Sequence, residues 1–408
     1  MMLLYNTGIR LYLILIRIAS LFSEKAKLWL RGRRGWKKNI EGRFSEDEKV
    51  IWVHCASLGE FEQGRPLIEK IKEKEPDVKI LLTFFSPSGY EIRKDYEKAD
   101  LVMYLPADTR NNARQFIDLV KPEAAIFIKY EFWYNYLGAL QDASIPTYLV
   151  SGIFRKEQMF FRWYGLRFLK ILMGFTMIFV QSEESEKLLL KYGIERVRVC
   201  GDTRFDRVYE IAKNSPALDI PGKFCGMRGA IIAGSSWPPE EDMICRYINE
   251  GGHKLKWIIA PHEIGGDHIA SIESKLSVKS LRYSNASMSD LAAFDVLIID
   301  NIGLLSSIYR YGILAVVGGG FGRGIHNVLE PASWGLPVMF GPRYSKFKEA
   351  VDLLAAGAAF SFKDYQQFSS VMSGLLTDKE RLNKASGKSL AYVKQNLGAS
   401  EIVVNSIL

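Results

Sequence analysis

The stretch whose reading decides the fold is Ile313 to Pro342, ILAVVGGGFGRGIHNVLEPASWGLPVMFGP. Its first five residues are apolar and β-rich, the signature of a strand buried on both faces of a parallel sheet. Glycines at 318, 319, 320, 322 and 324 follow, then Asn327 with Glu330 three residues on, a helix-start pattern. Residues 337–340 read as the next strand. A strand, a glycine turn and a helix N-terminus make an anion site, because glycine lets the backbone approach closely and the free N–H groups face the ligand. The same glycines also suit a plain tight turn. Arg323 and His326, which a turn has no need of, favour a ligand that carries phosphate.

Outward from this stretch the pattern repeats. Apolar runs at 50–54, 80–85, 101–105, 124–128, 147–150, 176–180 and 197–200 alternate with helix-like segments, such as 61–74 with Leu67, Ile68 and Ile71 on one face. Residues 216–229, with two prolines and three glycines, read as a linker. The alternation then restarts at 230–233, 257–260, 296–299, 313–317, 338–340 and 358–362, and helices run to the C-terminus. Alternating strands and helices predict an α/β protein with parallel sheets. The expected domains are a basic leader (1–43), an N-terminal Rossmann-like domain (44–215) and a C-terminal one (216–408). Ligands of such sheets sit beyond the carboxyl ends of the strands, so the residues that follow strands are the informative ones.

After the first strand stand Ser57, Gly59 and Glu60. Ser57-x-x-Glu60 reads either as a capping box or as a carboxylate placed to take a proton from a hydroxyl. After the fourth come Lys129, Glu131 and an aromatic run. Arg204, after the seventh, serves an anion or pairs with Asp202 or Asp206. In the second half Ser235 and Ser236 open a helix as phosphate ligands or as a plain N-cap with acids in the first turn. Pro261, His262 and Glu263 follow the next strand. His262, Asp267 and His268 do not have a metal spacing.

The net charge of +8 is not spread evenly. Residues 1–43 hold ten Lys or Arg against Glu24 and Glu41, which accounts for all of it, so the body is balanced and a nucleic-acid partner is not expected. Residues 3–22 are apolar, with Arg10 and Arg17 seven apart on one helical face. Two arginines make a clean span costly and no signal-peptide cleavage site is present. The expectation is an interfacial helix, with residues 31–38 (RGRRGWKK) against anionic headgroups and Trp29 and Trp36 at the boundary; the alternative is a helix packed on the protein. The four cysteines lie far apart without zinc-type spacing and read as buried small hydrophobes.

The ordered set is more specific than any member: Ser-Leu-Gly-Glu (57–60), Glu-Phe-Trp-x-Asn (131–135), Gly-Asp-x-Arg-Phe-Asp (201–206), Gly-Ser-Ser-Trp (234–237) with Glu240 and Glu241, Pro-His-Glu (261–263) and His-Asn-x-Leu-Glu-Pro (326–331). With the basic leader it resembles the 3-deoxy-D-manno-octulosonic acid (Kdo) transferases of lipopolysaccharide synthesis. The resemblance implies the GT-B architecture of two facing Rossmann-like domains, without metal or cofactor. It implies inverting transfer of Kdo from CMP-Kdo to the lipid A precursor (lipid IVA) at the cytoplasmic face of the bacterial inner membrane, with residues 1–38 on the membrane surface. By the family's motifs Glu60 is the general base, and Glu131 and Arg204 stabilise the transition state. CMP-Kdo falls to Pro261, His262, Ile302, Gly303, Leu304, Asn327, Val328, Leu329 and Glu330, with Gly319 and Gly320 in the glycine loop. Lys129 stands where the family often has a glutamate. The rival readings are a GT-B enzyme using a UDP-sugar and a lipid acceptor, a nicotinamide-dependent oxidoreductase, and a non-catalytic lipid-binding protein.

Overall fold

The computed structural model describes residues 2–163, 165–251 and 255–408; Met1, the first residue of the leader, lies outside them. Fourteen strands are found among the described residues, in two sheets. The first holds β1 (Val50–Cys55), β2 (Lys79–Phe84), β3 (Leu101–Tyr104), β4 (Ala124–Ile128), β5 (Thr147–Gly152), β6 (Met177–Val180) and β7 (Val197–Val199), in the order β3-β2-β1-β4-β5-β6-β7. The second holds β8 (Ala230–Ser236), β9 (Lys256–Pro261), β10 (Ser280–Arg282), β11 (Val296–Ile298), β12 (Gly312–Val317), β13 (Val338–Phe340) and β14 (Ala359–Ser361), in the order β10-β11-β9-β8-β12-β13-β14. Every pairing is parallel. Each expected apolar run became a strand. Only β10 had no run to announce it, since Leu281 is its one apolar residue.

The two-residue period of a strand explains how β1 is buried along its whole length. Ile51, Val53 and Cys55 join Phe61, Leu67 and Ile126 in one layer, while Trp52 joins Phe116, Phe127 and Tyr136 in the other. Strand order reverses between β1 and β4 and again between β8 and β12, and these are the points where an open parallel sheet leaves a crevice at its carboxyl edge.

By internal packing the chain divides into two units, Met1–Arg207 with Leu397–Leu408, and Val208–Asn396. Where the sequence runs its C-terminal domain to Leu408, the last helix, Ala399–Ile407, packs Val403 and Val404 into the first unit's core. Asp206 accepts from the N–H groups of Gly398 and Ser400 at its start, both at 2.7 Å. The stretch 216–229, read as a linker, contains the helix Asp219–Cys225, whose Pro221, Phe224 and Cys225 are buried.

The leader forms helices Met2–Ala19, Glu24–Arg31 and Trp36–Ile40. Two expectations for it are corrected. Trp29 and Trp36 are buried in the protein, not at an outer boundary. Arg33, from the segment assigned to headgroups, is only 9% exposed. It donates to the carbonyls of Leu105 (2.8 Å), Trp29 (3.0 Å) and Phe85 (2.7 Å) and lies 3.7 Å over the Trp29 ring. The first helix packs on the protein by one face and leaves apolar side chains exposed on another. Tyr5 donates to Asp108 (2.5 Å), Asn6 accepts from Asn135 (2.9 Å) and Tyr12 lies against Trp29 and Phe85, whereas Leu3, Leu4, Leu11, Ile14, Leu15 and Ile18 are exposed. Among the described residues no helix is long and apolar enough to cross a membrane.

Candidate functional site

The first unit gathers its chemistry at the carboxyl ends of β1 and β4. Glu60 lies in the first turn of helix Leu58–Lys74, half-buried. Ser57 is the N-cap by position, but its side chain makes no capping bond; its hydroxyl donates to the Glu60 carboxylate instead. The capping box is therefore not what holds Glu60. The Cys55 thiol reports a second carboxylate nearby. Burial, then the charges of Glu60, Glu131 and Glu62, push its pKa well above the usual thiol range. Glu60 and Glu131 each lie close enough to the end of β1 to act on the Cys55 thiol.

Glu131 is buried, and Trp133 Nε1–H donates to its Oε2 at 2.7 Å. His54 Nε2 lies 3.4 Å from the same oxygen and 3.1 Å from Trp133 Nε1. The backbone just before Glu131 is strained, because Lys129 at the end of β4 has φ 67°. Non-glycine residues held there cost of order 1–3 kcal/mol and cluster at functional sites. Asp108 supplies what the following helix, Tyr134–Asp142, lacks at its own N-cap, accepting from the N–H groups of Asn135 (3.2 Å) and Tyr136 (3.1 Å). Burial raises the Asp108 pKa, against these bonds and that from Tyr5.

Arg204 pairs with Asp202, not Asp206: Nε lies 2.8 Å and Nη2 2.7 Å from Asp202 Oδ2. Asp202 also accepts from the Arg204 N–H (2.9 Å) and from Gln63 (3.4 Å). Thr203 in turn donates to the Gln63 carbonyl at 2.7 Å. Gln63 sits three residues after Glu60 on the same helix, so the Arg204 turn is tied to the helix that carries Glu60.

The second unit places its residues at the ends of β8, β9 and β12. The glycine loop is built for close packing. A Cβ on Gly318 would lie 2.2 Å from Ser235 O, and Gly319 has φ 89°. The N–H groups of Gly319, Gly320 and Phe321 lie near the buried Glu240 carboxylate, and burial raises the pKa of that carboxyl against their pull. Neither Glu240 oxygen has a hydrogen-bond partner among the described residues. Ser236 likewise turns inward and donates to Glu241 Oε1 (2.9 Å), which His268 Nε2 meets at 3.1 Å. Arg343, which the sequence did not single out, bonds the Gly322 carbonyl and braces the loop.

His262 and His326 come together with Trp237. The His262 ring is 4.8 Å from Trp237 and 4.5 Å from His326, all three stacked, and Trp237 Nε1–H donates to His326 Nε2 at 2.8 Å. Burial and the neighbouring His262 lower the His326 pKa. An imidazole that accepts from an indole is one that stays neutral. His262 itself is exposed, and Pro261 ends β9. Asn327 pairs locally, its Nδ2 donating to Glu330 (2.9 Å) and its Oδ1 accepting from Leu329 N–H (3.1 Å), so the capping alternative describes its present bonds. Val328 and Leu329 are buried beneath it. Ile302 is 87% exposed on the turn after β11, with Gly303 at φ 95° and Leu304 half-buried. Among the described residues no group of three or more His, Cys, Asp or Glu is placed to hold a metal ion.

Sequence reasoning gave no role to His54, Thr83, Trp133 or Trp237. Trp133 and Trp237 stand inside the 131–135 and 234–237 motifs, and His54 is an ionisable side chain in the otherwise apolar run of β1.

Comparison with known proteins bears on this arrangement. Residues 30–207 match the family model of 3-deoxy-D-manno-octulosonic-acid transferase (kdotransferase). The chain is 29% identical over 340 residues to the 3-deoxy-D-manno-octulosonic acid transferase of Aquifex aeolicus (strain VF5), covering 82% of this chain and 88% of that protein. It is 26% identical to that of Bordetella pertussis over 409 residues, 93% and 94% of the two chains. Among solved structures, UDP-GlcNAc 2-epimerase from Neisseria meningitidis bound to UDP-GlcNAc matches with TM-score 0.64 and 17% identity, over 88% of this chain and 99% of the other. That last likeness concerns the GT-B-type fold alone.

Proposed function

From the premise that this chain is a glycosyltransferase related to the Kdo transferases, we propose that it moves Kdo from CMP-Kdo to a lipid A precursor by a single inverting displacement. The observation that carries this reading is the Glu60 carboxylate, released from any capping duty and, like Glu131, close to the end of β1 at the strand-order switch of the first sheet. Glu60 takes the proton from the acceptor's sugar hydroxyl as that oxygen bonds to Kdo C2. The C2–O bond to CMP breaks, and the electron pair leaves on the phosphate oxygen. The transition state is oxocarbenium-like. Glu131, held by Trp133, faces positive charge that develops there, and Arg204 meets the donor's anionic groups.

Binding of the donor falls to the second unit. His262 offers an exposed ring face, Asn327 and Glu330 offer polar groups for ribose, and Ile302, Gly303 and Leu304 form an apolar edge. The glycine loop contributes shape, and Arg323, exposed on it, contributes charge. The exposed Leu and Ile face of the leader helix, with Arg10 and Arg17, would lie on an anionic membrane at the cytoplasmic side, so that a lipid acceptor is met at raised local concentration.

The test is to incubate the protein with CMP-Kdo and a tetra-acylated lipid A precursor and weigh the product. Addition of Kdo is expected, and Glu60→Gln should lower the rate by about 10²- to 10⁴-fold, the usual worth of a positioned base, with the fold intact. Full activity in that variant refutes the base assignment. Turnover of UDP-sugars in place of CMP-Kdo refutes the donor.

A further inference from the structure

Beside its exposed apolar face, the leader makes polar contacts that a membrane tether does not need. Tyr5 donates to Asp108 Oδ2 at 2.5 Å and Arg33 to the Leu105 carbonyl at 2.8 Å, so two well-separated leader residues hold the two ends of the 105–108 loop. That loop in turn holds the start of helix Tyr134–Asp142. The Asp108 carboxylate accepts from the N–H groups of Asn135 (3.2 Å) and Tyr136 (3.1 Å), and its carbonyl accepts from Asn135 Nδ2 at 2.7 Å. The Pro106 carbonyl accepts from the Tyr136 hydroxyl at 3.1 Å, and Asn6 of the leader accepts from the same Asn135 amide at 2.9 Å. Asp108, Asn135 and Tyr136 are all buried.

Trp133 joins this frame to Glu131. It is the N-cap of that helix, and its side chain makes no capping bond. Its Nε1–H is shared between Glu131 Oε2 (2.7 Å) and His54 Nε2 (3.1 Å). Its ring packs on Phe85 with centroids 4.7 Å apart, and the Phe85 carbonyl accepts from Arg33 at 2.7 Å. The leader therefore reaches Trp133 by two routes, through Asp108 to its backbone and through Phe85 to its ring. A helix whose N-cap side chain accepts nothing leaves its first N–H groups to another partner. Loss of that partner frays the first turn, which moves Trp133 and the carboxylate it holds.

We propose that Tyr5 is a positioning residue for Glu131, acting through Asp108 and the first turn of helix Tyr134–Asp142, so that the leader completes the site as well as meeting the membrane. The role assigned to Glu131 rests on the function proposed above; the coupling of Tyr5 to the helix start does not. Attachment alone needs only an apolar face, and Leu4, Leu11, Leu15 and Ile18 supply one on another side of the same helix. The Tyr5 hydroxyl gives a buried carboxylate its third donor, a charge-assisted bond that holds it where both amides meet it.

The experiment uses the full chain with Tyr5→Phe, which removes the hydroxyl and keeps the ring against Tyr134. Hydrogen-exchange mass spectrometry should show faster exchange over the first turn of helix Tyr134–Asp142. Transfer to a detergent-dispersed lipid A precursor, where membrane delivery no longer enters the rate, should fall in kcat about 10- to 100-fold, the upper figure being the cost of a 1 Å misplacement. KM for both substrates should hold, and sedimentation with phosphatidylglycerol vesicles should match the wild type. Asp108→Asn keeps the shape with a neutral acceptor and should show the same exchange and kcat changes. The double variant should be no slower than Asp108→Asn alone, because both substitutions break one chain of contacts. Unchanged exchange in Tyr5→Phe, losses of kcat that multiply in the double variant, or a defect confined to KM or to vesicle binding overturns the proposal. If Asp108→Asn does not fold, the exchange and kinetics of Tyr5→Phe decide. Undiminished transfer by Glu131→Gln would instead refute the role of Glu131 and leave the coupling seen by exchange standing.

Discussion

Replacing Arg33 by methionine tests how firmly the leader belongs to the protein. The side chain ties three separate segments through the carbonyls of Trp29, Phe85 and Leu105, and lies among the rings of Trp29 (3.7 Å), Tyr104 (4.8 Å) and Phe85 (5.1 Å). Burial lowers its pKa to about 9, so it remains charged at neutral pH. Methionine keeps most of the stem and removes the fork. Three carbonyls then lose their donor at about 1 kcal/mol each, and the ring contacts about 1 kcal/mol more. Relief of a buried charge offsets part of this. The balance is about 2–4 kcal/mol, or roughly 5–15 °C in the melting point of a unit this size. Thermal unfolding followed by calorimetry reads the change, since Trp29 is one of eight tryptophans and fluorescence would not isolate it. Arg34→Met, at an exposed position one residue on, is the control and should change nothing. If the two variants melt within about 2 °C of each other, a spread a change of under 1 kcal/mol would give, Arg33 does not tie the leader to the protein.

Gly318→Ala would put a Cβ 2.2 Å from Ser235 O and 2.7 Å from Ser236 Cα. Both atoms are backbone and cannot rotate away, so about 1–3 kcal/mol or more should be lost in urea unfolding, and a neutral result would refute the close packing of the loop on β8. Gly138→Ala, inside a helix and with open space around it, should gain about 0.5–1 kcal/mol in the same assay; a loss there would show the position to be filled. Glu240 has its folded pKa raised above the ordinary 4.5 by burial. Its contribution is therefore fully present below that value and is lost as pH rises through the folded one. Glu240→Gln should flatten this loss when unfolding midpoints at acidic and neutral pH are compared, and an unchanged slope would refute the buried charge.

The strands were legible because a parallel sheet covered on both faces needs nearly continuous apolar runs, and thirteen of the fourteen observed strands carry one. β10 escaped because its three half-buried residues bury too little to leave a mark. The glycine cluster and its helix were equally legible as a turn. Which anion the turn's N–H groups lie near was not, since Glu240 lies some eighty positions away and only the adjacency of β8 and β12 brings it there. The composition of residues 31–38 says basic and aromatic; it does not say that Arg33 points inward between two buried tryptophans.

From the order of its residues alone, then, this protein's α/β class, its run of strands and the positions of Glu60, Glu131, Arg204, His262 and Asn327 after or between those strands could be deduced, because burial and turn chemistry are local demands that each segment must meet by itself. Among local partners the folded turns chose Ser57 with Glu60, Arg204 with Asp202 and Asn327 with Glu330. The tertiary structure alone brought His54 to Thr83 and Glu131, because a polar group takes a distant partner only where packed strands bring it within about 3 Å, and that neighbour is set by sheet order and register, which no single segment encodes.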